Sequence, residues 1–163
     1  MTHMNLRISF LGIGLMGTPM TRNLLDAGFS MTLWNRTTSK CEPFASEATI
    51  AGTPAEAVAE ADIVIAMLEN GQVVDDVLVK QGAMAAVKPG ALVIDMSSVQ
   101  PSLAREHAEL AAEQGAGYVD APVSGGTVGA AEARLSIMAG GSEADIERAL
   151  PVFNALGKCP RIG

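Results

Sequence analysis

Covalent cross-links are scarce in this sequence: its 163 residues include two cysteines, Cys41 and Cys159, far apart in the chain. That excludes a disulfide-stapled secreted scaffold and fits a reducing compartment, so a cytoplasmic location is expected. Aromatic residues are few, with one tryptophan, one tyrosine and four phenylalanines. Basic residues are outnumbered, 11 Lys plus Arg against 18 Asp plus Glu, which leaves a formal charge of −7. A chain with neither a basic footprint nor a platform for base stacking is not expected to bind nucleic acid. No apolar run reaches the roughly 18 residues of a membrane-spanning helix, so no membrane partner is expected. Ile8–Met20, preceded by Arg7, imitates a signal peptide only in outline. Three glycines and Pro19 interrupt it, and no small-residue cleavage site closes it. Met1-Thr2-His3-Met4 reads as an alternative start or an expression remnant, with no role for His3.

What the chain does have is apolar material, 48% of residues against 18% charged, enough to build a buried core. Arg7–Leu11, Met31–Trp34, Asp62–Met67 and Ala91–Asp95 are short, nearly continuous apolar runs bounded by turn signals. Continuity rather than alternation marks strands covered on both faces of a parallel sheet. Helical spacing fills the gaps. Met16, Met20, Leu24 and Ala27 form one stripe that ends at Gly28, and further helices are expected at Pro54–Glu60, Val73–Val79 and Pro101–Gln114. Tyr118–Asp120 and Leu135–Ala139 read as further strands. A last helix is capped by Ser142, carries Ile146, Ala149, Leu150 and Phe153 on its apolar face, and is expected to kink or break at Pro151. This βαβα rhythm predicts a single doubly wound α/β domain with a mostly parallel sheet and right-handed crossovers.

The sharpest local signal is Gly12-Ile13-Gly14-Leu15-Met16-Gly17, set between the first strand and the first helix. Gly12 permits a tight turn, Gly14 admits a pyrophosphate close to the backbone, and Gly17 lets helix and strand pack closely. The unpaired N–H groups at the helix start suit a phosphate. Strand, loop, helix and second strand come in the order a dinucleotide site needs. An NAD site usually ends its second strand with a carboxylate for the ribose. This chain has Trp34-Asn35-Arg36-Thr37-Thr38-Ser39-Lys40 there, with no carboxylate to repel a 2′-phosphate. The guanidinium fork of Arg36, the Thr37 hydroxyl and the charge of Lys40 favour NADP(H), with NAD(H) as the alternative.

With these segments in place the chain resembles the N-terminal domain of the β-hydroxyacid dehydrogenase family. That family includes 3-hydroxyisobutyrate dehydrogenases, tartronate semialdehyde (2-hydroxy-3-oxopropionate) reductases and glyoxylate/succinic semialdehyde reductases. The motifs are FLGIGLMGTPM at Phe10–Met20, WNRT at Trp34–Thr37, IDMSSVQP at Ile94–Pro101, DAPVSGG at Asp120–Gly126 and LSIMAGG at Leu135–Gly141. The resemblance implies a Rossmann-type fold in which Gly12, Ile13, Gly14, Leu15, Met16 and Gly17 hold the pyrophosphate. Asn35, Arg36 and Thr37 would hold the adenosine 2′-phosphate. Met67 and Leu68 would border the ribose, and Ser97 or Ser98 would approach the nicotinamide end. Glu69 stands where the family commonly has proline, and Ala133 where it often has glycine. Ser124, with the amides of Gly125 and Gly126, would grip the carboxylate of a small hydroxy- or oxo-acid.

The family's proton donor is a lysine on an interdomain helix, and none of Lys40, Lys80, Lys88 or Lys158 matches its motif. Residues 1–163 are therefore expected to be the dinucleotide-binding domain without the helical C-terminal domain. Such a chain should bind cofactor and turn over poorly or not at all, while the full-length form is expected to be a homo-oligomer. His107, on an apolar helix face, reads as structural rather than as a replacement acid. No metal-ligand spacing is present. Two other readings remain: a non-catalytic NADP-binding module, and an imine reductase, against which the Ser124-Gly125-Gly126 motif argues.

Overall fold

The computed structural model describes residues 6–160; Met1-Thr2-His3-Met4 lies outside them. Six parallel strands form the main sheet in the order β3-β2-β1-β4-β5-β6. These are β1 (Arg7–Leu11), β2 (Ser30–Trp34), β3 (Thr49–Ile50), β4 (Ile63–Ala66), β5 (Leu92–Asp95) and β6 (Gly117–Asp120). The near-continuous apolarity of the strands has a direct cause: alternate residues feed two different cores. Ile8, Phe10, Ile63, Ile65, Leu92 and Ile94 pack into one layer with Met20 and Leu24 of α1 (Gly17–Asp26) and Phe153 of α7 (Glu143–Leu156). Leu11, Val64 and Val93 face the other layer. There they meet Val58 of α2 (Pro54–Val58), Val74 of α3 (Gly71–Asp75), Met84 of α4 (Ala83–Ala86) and Ala111 of α5 (Pro101–Glu113).

Strand order sets the place for a ligand. The chain runs outward from β1 to β2 and β3, then returns to pair β4 with the other side of β1. Loops leaving β1 and β4 therefore diverge at the carboxyl end of the sheet, the switch point where open α/β sheets bind ligands. A second, smaller sheet joins β7 (Val123–Ser124), β8 (Leu135–Ile137) and β9 (Gly157–Lys158). It carries Ser124 opposite Ser136. α6 (Gly126–Ala131) starts directly behind it.

Several sequence expectations need correction. Leu135–Ala139 shortens to β8 and belongs to the second sheet. Val73–Val79 is not one regular helix, because α3 passes into a π-helical turn at Asp76–Lys80. Ala27 is exposed, so the α1 stripe ends at Leu24. Pro151 does not end α7, which continues to Leu156. An interior proline costs about 3 kcal/mol, but Ala149, Val152, Phe153 and Leu156 are all fully buried around it, and their packing outweighs the lost bond. The Ser142 cap is present, its hydroxyl accepting from the Asp145 N–H at 3.1 Å. Ala133 has φ 56°, the one non-glycine in the left-handed region among the described residues, so alanine here holds a conformation that glycine adopts more easily.

Candidate functional site

The glycine loop is shaped by three different demands. Gly12 has φ 108°, and a Cβ there would run into the Met67 carbonyl. A Cβ on Gly17 would strike the Gly12 carbonyl, so this residue is what lets α1 seat against the loop. Gly14 is different: a Cβ there would meet no atom within 4 Å, and its φ lies outside the left-handed region. The fold itself does not require glycine at that position. No side chain caps the start of α1; the Thr18 N–H already donates to the Gly14 carbonyl at 3.0 Å and Pro19 has no N–H, so the groups a ligand could use lie ahead of Thr18.

A cleft of about 390 Å³ opens beside this loop. Gly12, Ile13 and Gly14 form one wall; Trp34 to Thr37 and Lys40, from the end of β2, form the second. Met67, Leu68 and Glu69, with Gln72, Val73 and Asp76 beyond them, form the third. Its volume and mixed lining suit part of a dinucleotide. Arg36, Thr37 and Lys40 are exposed on its rim.

Asn35 braces the loop. Its Oδ1 accepts from the Ile13 N–H at 2.9 Å and its Nδ2 donates to the Thr37 carbonyl at 3.0 Å. The side chain thus bolts the glycine loop to the end of β2. The β2 end carries no carboxylate, yet space supplies one: Glu69, from the loop after β4, places Oε1 3.9 Å from Arg36 Nη2. Sequence order hid this pair, since its partners lie 33 positions apart and meet only because β1 separates β2 from β4.

Ser97 and Ser98 also divide. Ser97 is fully buried, its Oγ accepting from the Leu68 N–H at 2.9 Å and donating to the Ala66 carbonyl at 3.4 Å. Its hydroxyl shapes the cleft wall from behind. Ser98 is exposed. A Ser97→Ala variant leaves the part-buried Leu68 N–H without its partner. Urea denaturation is expected to show a loss of about 1–2 kcal/mol.

Behind Ser97 sits a buried polar group of the kind sequence patterns do not reveal. Asp95 Oδ1 accepts from the Ser97 N–H at 3.0 Å, while Oδ2 is buried without a partner. Burial pushes the Asp95 carboxyl up to about 6, against the Ser97 bonds, which favour the charged form; Asp120 adds to the rise and His107 opposes it. Burial likewise raises Asp120, its register partner on β6, and Tyr118. Ser124, Gly125 and Gly126 lie outside the cleft. All three are exposed, and Gly125 and Gly126 take φ values of 129° and 62° at the start of α6.

Residues 7–163 match the family model described as the NAD binding domain of 6-phosphogluconate dehydrogenase. The chain belongs to this family. An NAD-dependent L-serine dehydrogenase from Pseudomonas aeruginosa is 40% identical over 154 residues, covering 93% of this chain and 52% of that protein. The solved 3-hydroxyisobutyrate dehydrogenase of Mycobacterium tuberculosis with L-serine is 40% identical with a TM-score of 0.89, over 96% of this chain and 54% of the other. An imine reductase from Myxococcus stipitatus in complex with NADP⁺ is 29% identical with a TM-score of 0.86, over 96% and 55%. The chain spans about half the length of the curated relatives it matches.

Within this NAD-binding domain the other candidates take structural places. His107 is fully buried, with Nε2 2.8 Å from Asp75 Oδ1, tying α5 to α3. Lys88 is held by Asp62 at 2.9 Å, and Lys158 is exposed in β9. Among the described residues no group of three His, Cys, Asp or Glu could hold a metal ion. None of the described helices is long and apolar enough to cross a membrane.

Proposed function

We propose that this chain is the coenzyme-binding part of an NADP(H)-dependent oxidoreductase that interconverts small β-hydroxyacids and their semialdehydes or oxo-acids, of the tartronate semialdehyde or glyoxylate reductase type. The observation that carries the reading is the cleft in which Gly14 leaves open space beside its backbone and Arg36 faces solvent at the rim. Gly14, with Leu15 and Met16 ahead of α1 and Gly17 at its uncapped start, would hold the pyrophosphate. Arg36, Thr37 and Lys40 would hold a 2′-phosphate, and Met67 and Leu68 would border the ribose. The chemistry a bound nicotinamide supplies is hydride transfer.

On the substrate side, the Ser124 hydroxyl and the N–H groups of Gly125 and Gly126 would hold a carboxylate, with Ser98 toward the nicotinamide end. Two named relatives support a carboxylate of this kind, because L-serine and 3-hydroxyisobutyrate both carry a hydroxyl on the carbon β to the acid. Protonation of a developing alkoxide needs an acid. None of Lys40, Lys80, Lys88 and Lys158 is assigned that role, so the chain alone is expected to bind both ligands and turn over slowly.

Calorimetric titration tests both halves. NADPH is expected to bind the chain, and 3-hydroxyisobutyrate to bind the NADP⁺ complex. Ser124→Ala is expected to weaken the acid about tenfold or more while leaving NADPH affinity unchanged. Absence of heat and of thermal protection with NADPH and NADH alike overturns the reading.

A further inference from the structure

Charge around the cleft rim is balanced rather than basic. Arg36 and Lys40 supply two positive groups, and Glu69 and Asp76 two negative ones. Asp76 is engaged along its own wall, its Oδ2 accepting from Gln81 Nε2 at 2.6 Å. Among the described residues Glu69 has no such neighbour. Its one ion-pair partner among the described residues is Arg36, reached across the cleft mouth at 3.9 Å, with the two side chains 74% and 82% exposed. We propose that Glu69 narrows the coenzyme discrimination of this domain, by occupying the Arg36 guanidinium as an internal anion that a 2′-phosphate must displace and a 2′-hydroxyl need not.

The inference rests on the reading of this cleft as the coenzyme site. An NAD(H) ribose presents a neutral hydroxyl there. The Arg36–Glu69 pair can then stay closed, and the carboxylate can accept from that hydroxyl. An NADP(H) ribose presents a dianion. It gains Arg36 only by releasing Glu69, which is then left unpaired beside like charge. The carboxylate thus opposes NADP(H) twice, through competition and through repulsion, and narrows the preference that Arg36, Thr37 and Lys40 create. A carboxylate on the second strand would exclude the phosphate outright. One on a loop across the cleft can swing away, which makes this a site for both coenzymes with a bias that Glu69 tempers.

Glu69→Gln keeps the size of an exposed side chain and removes its charge. Titration of wild type and variant with NADPH and NADH at low salt is expected to show NADPH binding three- to tenfold tighter in the variant (about 0.7–1.4 kcal/mol), with NADH within about twofold. The gain should shrink at high salt, where exposed charges are screened. An unchanged NADPH-to-NADH affinity ratio, or an equal change for both coenzymes, overturns the role of Glu69 while the cleft remains the coenzyme site. Failure of both coenzymes to bind the wild type overturns the two readings together.

Discussion

Gly14→Ala is expected to fold as well as the wild type and to lose coenzyme affinity by about 2–3 kcal/mol, on the order of a hundredfold. The two outer glycines of the loop cannot make this distinction. At Gly12 the positive φ and the Met67 carbonyl oppose any side chain, and at Gly17 the Gly12 carbonyl does. Alanine at either position should therefore lower the melting temperature and binding together. Gly14 has neither obstacle, because the space its Cβ would enter is empty cleft. A methyl there meets nothing until a pyrophosphate needs to approach the backbone, and then it stands in the contact. Thermal denaturation with calorimetric titration of NADPH and NADH checks both parts. A melting temperature within about 2 °C of wild type together with undiminished affinity would place the pyrophosphate elsewhere.

This split between glycines that serve the fold and a glycine that serves a ligand also marks how far the sequence was legible. The main sheet was readable because each strand is buried on both faces: Ile8-Ser9-Phe10-Leu11 has to be almost wholly apolar when alternate residues enter different cores. Gly12 to Gly17 were readable because their spacing is tied to one local turn. β3 was not, since two residues leave no periodicity to detect. Nor was the second sheet as a unit: Leu135–Ala139 was readable as a strand, but its pairing of Leu135 with Gly157 spans a long separation. Pro151 does not break α7, because a local rule is outweighed by packing from the opposite side of the helix. Within the cleft, Arg36 and Lys40 stood out as cations in an acidic chain. The Asn35 bolt, the Ser97 brace and the Glu69 counter-charge did not, because each acts on a segment brought near only by the strand order β2-β1-β4-β5.

The same blindness to space concealed Asp95, and its effect on stability should be large. An ordinary carboxyl titrates near 3.9; burial holds this one at about 6 in the folded chain, despite the Ser97 N–H. Between those values the folded state keeps a proton that the unfolded state has released. Stability attributable to Asp95 therefore falls as pH rises through that window and levels off above it, by a total on the order of 3 kcal/mol. Asp120, raised by burial on the adjacent strand, adds a slope of the same sign. Asp62 has the opposite sign: burial works against its charged form, but the Arg7 N–H and Lys88 hold it below the usual range, so its contribution is lost in acid. Comparing Asp95→Asn with wild type cancels that background. Asparagine keeps an oxygen for the Ser97 N–H and has no charge to bury, with Tyr118, Asp120 and His107 unchanged around it. Urea denaturation is expected to find the variant more stable by about 2 kcal/mol at pH 7.5 and nearly equal to wild type at pH 4.5. A variant weaker than wild type at pH 7.5 would mean that the Ser97 bonds outweigh burial of the charged carboxylate, and that ionised Asp95 stabilises the ends of β5 and β6.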